Sequence, residues 1–96
     1  MSNLGHVALL ASYATVPDAP IIGTATATGQ STASITFTAP VRNGGREIIS
    51  YTAVSTPSSI TATVTQSGSG TINITGLNAS VTYTFVVYAT NAIGNS

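Results

Sequence analysis

The fold of this chain is decided by the stretch Ala33-Ser34-Ile35-Thr36-Phe37-Thr38. Apolar side chains alternate there with hydroxyl-bearing ones, which is the period-two pattern of a β-strand with one buried and one exposed face. Pro40 ends the stretch, since proline cannot donate the hydrogen bond that a sheet would need at that position. The stretch therefore predicts one half-buried strand, whose apolar face needs a second layer of structure to cover it.

The same alternation recurs on both sides of this strand, and turn residues rich in Gly, Pro, Asn and Ser separate the repeats. In the third strand we expect Ile49, Tyr51 and Ala53 to share one face, and the fourth is short enough to lie at a sheet edge. No stretch has helical spacing, so short strands at regular intervals predict an all-β, antiparallel sandwich. The predicted strands cover residues 21–27, 33–38, 47–56, 60–64, 72–74 and 83–89.

The composition excludes several classes of partner. Formal charge is confined to two arginines and two carboxylates, and lysine and cysteine are absent. We expect the seventeen threonines and twelve serines to cover the surface in place of charged residues. Two arginines do not make the basic patch that nucleic acid needs. No apolar run approaches the roughly 18–20 residues that a bilayer requires. We therefore expect no nucleic-acid binding and no membrane insertion, and a neutral surface that suits a domain held in a larger assembly.

The ionisable groups are too few and too scattered for an active site. Asp18 and Glu47 are the only carboxylates and lie in separate segments, while the single histidine, His6, lies near the N-terminus. Nothing would activate a serine as a nucleophile. One histidine and two distant carboxylates do not form a coordination sphere for a metal ion. The sequence therefore predicts no enzyme, no cofactor and no metal site.

Several segments in combination resemble a fibronectin type III domain over roughly residues 16–96. They are residues 16–20, the strand that ends at Pro40, the Gly44-Gly45 turn followed by Ile48 and Tyr51, the pair Leu77 and Tyr83, and the A-x-N-x-x-G pattern of Ala89, Asn91 and Gly94. The resemblance implies an immunoglobulin-like sandwich in which Phe37 replaces the usual tryptophan. The family pattern also implies a tyrosine corner, at which the Tyr83 hydroxyl bonds the backbone. The implied core and tyrosine-corner residues are Phe37, Tyr51, Leu77, Tyr83 and Phe85.

Two departures from the family pattern divide the chain into residues 1–15, an N-terminal extension, and residues 16–96, a domain lacking its final strand. Val7, Leu9, Ala11 and Tyr13 alternate in the extension as a strand would. Two explanations stay open. Either the extension, from the same or a neighbouring copy, completes the sheet by strand donation, or the protein continues beyond Ser96.

The sequence offers candidate residues for contact with other molecules in the N-terminal extension, around the turn at residues 43–45 and in the last predicted strand. Arg42 and Arg46 flank the turn at 43–45, and loops at the end of a sandwich often carry recognition, although solvation of a turn explains the same charges. Tyr88 and Val86 alternate outward from the last strand. The Arg-Gly-Asp tripeptide is absent. The candidate interaction residues are Val7, Leu9, Tyr13, Arg42, Arg46 and Tyr88.

Modules that resemble this one, low in charge and rich in Thr and Ala, occur in bacteriophage virion proteins. The resemblance therefore implies a non-enzymatic structural or decoration protein of a capsid, tail or fibre, localised in the virion. We expect its partners to be other protein subunits, with the chain as a homo-oligomer, and weak contact with cell-surface glycans. Two alternatives are a spacer or adhesion module of a bacterial extracellular surface protein and a filament subunit that donates a strand.

Overall fold

The computed structural model describes residues 14–96, which form two three-stranded antiparallel sheets. The sheets have the strand orders β1-β2-β5 and β4-β3-β6. None of the described residues forms a helix of the length and apolar character that a membrane span requires. The predicted all-β antiparallel sandwich is confirmed. The strands are β1 (Ile21–Ala27), β2 (Thr32–Thr38), β3 (Ser50–Thr56), β4 (Thr61–Val64), β5 (Gly70–Thr75) and β6 (Thr84–Thr90).

The core is a single apolar layer between the two sheets. In β2 and β5 the cross-strand pair Ile35 and Ile72 is buried, because period-two alternation places both side chains on the inner face. Tyr51 meets this layer from β3, and its ring centroid lies 4.3 Å from that of Phe37. The buried apolar residues are Ala33, Ile35, Phe37, Ile48, Tyr51, Ala53, Ile72, Ile74, Val87 and Ala89.

The third strand differs from the prediction, since it begins at Ser50 rather than at residue 47. Ser50 pairs with Thr90, and the Ile49 N–H also donates to the Thr90 carbonyl at 2.7 Å. Two consecutive residues thus face one, which interrupts the alternation as a β-bulge does. Ile48 is buried in place of Ile49, whose side chain is 52% exposed. The expectation that Ile49 shares the face of Tyr51 and Ala53 is therefore wrong.

Strand β1 matches its predicted range but is exposed along its whole length. It pairs only with β2, and in the opposite sheet the described strands end at β6. The inner face of β1 therefore has little apolar cover, and it forms one wall of a groove. Among the described strands the short strand β4 pairs only with β3 and lies at a sheet edge, as predicted.

The turn at residues 43–45 depends on backbone freedom that only glycine supplies easily. Gly44 and Gly45 have φ angles of 80° and 89°, in the left-handed region that other residues seldom enter. The Gly45 N–H donates to Asn43 Oδ1 at 2.9 Å, which closes the turn. Gly44 also lies directly against the backbone of Thr15, so a side chain at this position would collide with the Thr15 carbonyl. The turn therefore packs closely against the first described residues of the chain.

Ile74→Ala is expected to lower the free energy of unfolding by about 2–5 kcal/mol, because it leaves a cavity in the inter-sheet layer. The matched control is Ile21→Ala, which removes the same atoms from an exposed position and should change stability by less than about 0.5 kcal/mol. Urea titration followed by circular dichroism measures both. Equal losses for the two variants would contradict the placement of the core.

Candidate functional site

A groove of about 380 Å³ lies between β1 and β6. Small side chains of β1 form one wall and two aromatic side chains form the other, with the ring centroids of Tyr83 and Phe85 6.4 Å apart. Among the residues of 14–96 that line it there is no carboxylate, histidine or basic group. This lining can therefore receive apolar side chains, and its described residues offer no charged group to position or activate a substrate. Its main apolar lining residues are Ala25, Ala27, Leu77, Val81, Tyr83 and Phe85.

The outer edge of β6 runs along this groove. The Ala89 carbonyl accepts from the Ser96 N–H at 2.8 Å, and the Ala89 N–H donates to Ser96 Oγ at 2.9 Å, on the side away from β3. Because backbone direction alternates along a strand, Phe85 and Val87 present their N–H and C=O groups to the same outer side. Thr90 and Asn95 form one antiparallel bridge there. Within residues 14–96 the outer edge of β6 therefore begins an antiparallel pairing that no described strand continues.

The residues expected at the core and the tyrosine corner fall into two groups. Phe37 and Tyr51 lie between the sheets, where the Tyr51 hydroxyl donates to the Ser67 carbonyl at 2.8 Å and burial raises the pKa of Tyr51. Tyr83 and Phe85 are only half-buried and line the groove, as does Leu77. The Tyr83 hydroxyl accepts from the Asn78 N–H at 2.9 Å, which fixes the 77–83 connection at one end of the groove.

Asn91 joins three segments at the opposite end of β6. This side chain is nearly fully buried, and its Nδ2 donates to the Thr15 carbonyl at 2.9 Å and to the Asn43 carbonyl at 2.8 Å. Its Oδ1 accepts from the Ile93 N–H at 2.9 Å. A buried amide with all its groups paired is an effective clamp, because breaking it leaves several polar groups without partners. We call the end of the sandwich formed by residues 14–18, 41–49 and 91–95 the clamp end.

The clamp end gathers the charged residues that the sequence scatters. The Asp18 N–H donates to the Arg42 carbonyl at 3.1 Å, which brings together segments that are far apart in the chain. Arg46 and Glu47 follow on the same loop, and all four charged side chains are exposed. The sequence placed Asp18 and Glu47 in unrelated segments. The sequence alone does not show the long-range hydrogen bonds of Asn91 that bring these segments together. Its one trace of them is the A-x-N-x-x-G pattern, to which Asn91 belongs.

The remaining interaction candidates lie elsewhere. Tyr88 is half-buried on the outer face of the β4-β3-β6 sheet, opposite Thr52, and its neighbour Val86 is exposed. Val7, Leu9 and Tyr13 lie outside the described residues. In residues 14–96 no three His, Cys, Asp or Glu side chains come together in a group that could hold a metal ion.

A family model described as Fibronectin type III domain matches residues 18–96, which is most of the chain and contains all six strands. No curated protein and no solved structure matches.

Asn91→Ala should destabilise the domain by about 1–3 kcal/mol, because the carbonyls of Thr15 and Asn43 lose their donor inside the clamp. The control is Asn95→Ala, an exposed residue whose Oδ1 accepts from Thr90 Oγ1, and it should cost about 0.5 kcal/mol or less. Denaturant titration gives both values. A loss for Asn91→Ala as small as that of the control would mean that the clamp does not stabilise the fold.

Proposed function

Because the chain belongs to the fibronectin type III family, we propose that it is a non-enzymatic structural module of a bacteriophage virion, placed in a capsid, tail or fibre. The family supports a structural or interaction role in general, and domains of this fold serve many functions. The choice among those functions rests on the surface and on the groove.

The observation that supports a virion role best is the nearly uncharged, hydroxyl-covered surface. The outer face of the β1-β2-β5 sheet presents mainly short polar side chains, with Ile21 as an exposed apolar residue at one end, and no charged residue lies on any of the six strands. Such a surface has weak electrostatic repulsion between copies. Many copies can therefore lie close together, as they must in a shell or a tube. The outward residues of this face include Thr26, Ser34, Thr36, Thr71, Asn73 and Thr75.

The groove supports binding rather than chemistry. Among the described lining residues Tyr83 is the one ionisable side chain, and its hydroxyl accepts from the Asn78 N–H. General acid–base catalysis is carried most often by His, Asp, Glu or Lys, and the lining residues that the structure describes include none of these. Apolar walls beside a partly paired strand edge are suited to holding an extended segment of protein.

Labelling of particles tests the virion proposal. Antibody raised against the 96-residue protein should mark particles that are purified on a density gradient from the source culture, at regular positions in electron micrographs. Mass spectrometry of the same band should find the chain in many copies per particle. Recovery of the chain in the cell-envelope fraction of particle-free cultures would contradict the proposal and favour a spacer or adhesion module of a bacterial surface protein.

The second candidate is a subunit that assembles by strand donation, and the outer edge of β6 favours it. Phe85 and Val87 offer backbone groups there, and the groove beside them can take apolar side chains. Such an edge is a template for an added strand. The alternating segment with Val7 and Leu9 is the proposed donor, although it lies outside the described residues, so the edge and the groove alone support this candidate.

Deleting residues 1–13 tests strand donation while keeping Thr15, whose N–H donates to the Gly44 carbonyl at 2.8 Å. We expect the deletion to reduce both assembly, measured by light scattering, and the thermal midpoint. The length-matched control replaces Val7 and Leu9 by serine, which removes the apolar alternation only, and it should reproduce the deletion. An unchanged assembly and midpoint in both variants would remove the donor segment from consideration.

A further inference from the structure

The clamp end combines a backbone held by long-range hydrogen bonds with exposed aliphatic side chains. Its three segments are fastened by the bonds from Asn91 and by the bond between the Thr15 N–H and the Gly44 carbonyl. A surface that is already ordered loses less conformational freedom when it binds. The exposed fractions of its aliphatic side chains are large: Val16 41%, Ile93 48%, Ile49 52% and Val41 fully exposed.

The charge on the described residues is concentrated at this same end. Asp18, Arg42, Arg46 and Glu47 are the only Asp, Glu, Lys and Arg residues of the chain, and all belong to the segments that meet there. Two are positive and two are negative, so the end is neutral as a whole while presenting both signs. Apolar side chains among charged ones match the anatomy of protein interfaces, in which an apolar centre lies inside a polar rim.

We propose that the clamp end is a self-association surface at which two copies of this chain meet end to end about a two-fold axis. In such a contact residue i of one copy meets residue j of the other and the reverse also holds. A patch with both signs can therefore pair its carboxylates with the guanidinium groups of its copy. The exposed aliphatic side chains of Val41 and Ile49 supply apolar area for this contact.

An anionic ligand such as a sulfated glycan fits the clamp end less well. A polyanion that approached Arg42 and Arg46 would also meet Asp18 and Glu47, so attraction and repulsion would largely cancel. A second copy, in contrast, meets each sign with its opposite. A standard stable interface takes about 20–30 residues from each partner, whereas the patch at the clamp end has eight side chains. The contact is accordingly weak for two free molecules and gains strength where copies are already held close together.

Charge reversal with mixing tests the contact on the 96-residue protein. Sedimentation equilibrium should show a reversible dimer at high concentration that weakens as salt is raised. The double variants Arg42→Glu with Arg46→Glu, and Asp18→Arg with Glu47→Arg, should each raise the dissociation constant by about tenfold or more. An equimolar mixture of the two double variants should associate again, with a constant within about threefold of the unaltered protein's. Loss of folding cannot produce that recovery.

Two further variants locate the contact. Val41→Ser, at a fully exposed loop position, should weaken the dimer without changing the unfolding curve at low concentration. Tyr88→Ser, on the outer face of the β4-β3-β6 sheet and outside the segments of the clamp end, should leave the dimer unchanged. The proposal is overturned if the protein stays monomeric at about 1 mM, where even weak protein contacts are populated, or if mixing fails to restore association. Sensitivity to Tyr88→Ser alone, or to deletion of residues 1–13 alone, would also overturn it. None of these outcomes bears on the labelling of particles, so this inference and the virion proposal can fail separately.

Discussion

Apolar contact between the two sheets is the interaction on which the whole domain depends. The chain has no cysteine, so no disulfide can compensate for a weak core. Ile35, Ile72 and Ile74 form the buried layer of one sheet, and Tyr51 and Phe37 bring the aromatic rings of the two sheets within 4.3 Å. A small domain buries a smaller fraction of its surface than a large one, so each of these side chains has a large share in the stability.

The molecule is left open on one side of the sandwich. Among the described strands β1 pairs only with β2 and β6 pairs only with β3, so both are edge strands of their sheets on that side. The groove lined by the half-buried rings of Tyr83 and Phe85 lies between these two edge strands. The cavity and the strand edge that the strand-donation candidate uses therefore lie side by side.

The predictions from sequence succeed where the alternation is local and fail where hydrogen bonding is long-range. The range of β1 and the buried face of β2 follow from period-two patterning, which each strand encodes by itself. The start of β3 does not, because the interruption at Ile49 exists only through the double contact with Thr90. The clamp end could not be predicted from local patterns either, since the hydrogen bonds of Asn91 join residues that are 48 and 76 positions apart in the sequence.

Because the surface has so few charges, their position decides where electrostatic forces can act on a neighbouring molecule. The hydroxyl-covered strands would give a neighbouring copy little directional preference, because short neutral side chains accept many orientations. Coulomb interactions fall off within about 8–10 Å at physiological salt, so a neighbour senses Arg42, Asp18 and the residues beside them only when it approaches the clamp end. In the described part of the chain, charges can therefore orient a neighbour only at the clamp end. Apolar contact along β6 and the groove would not depend on these charges. The two proposed contacts lie on different parts of the domain and are expected to respond to different conditions, the first to salt and the second to the apolar area that it buries.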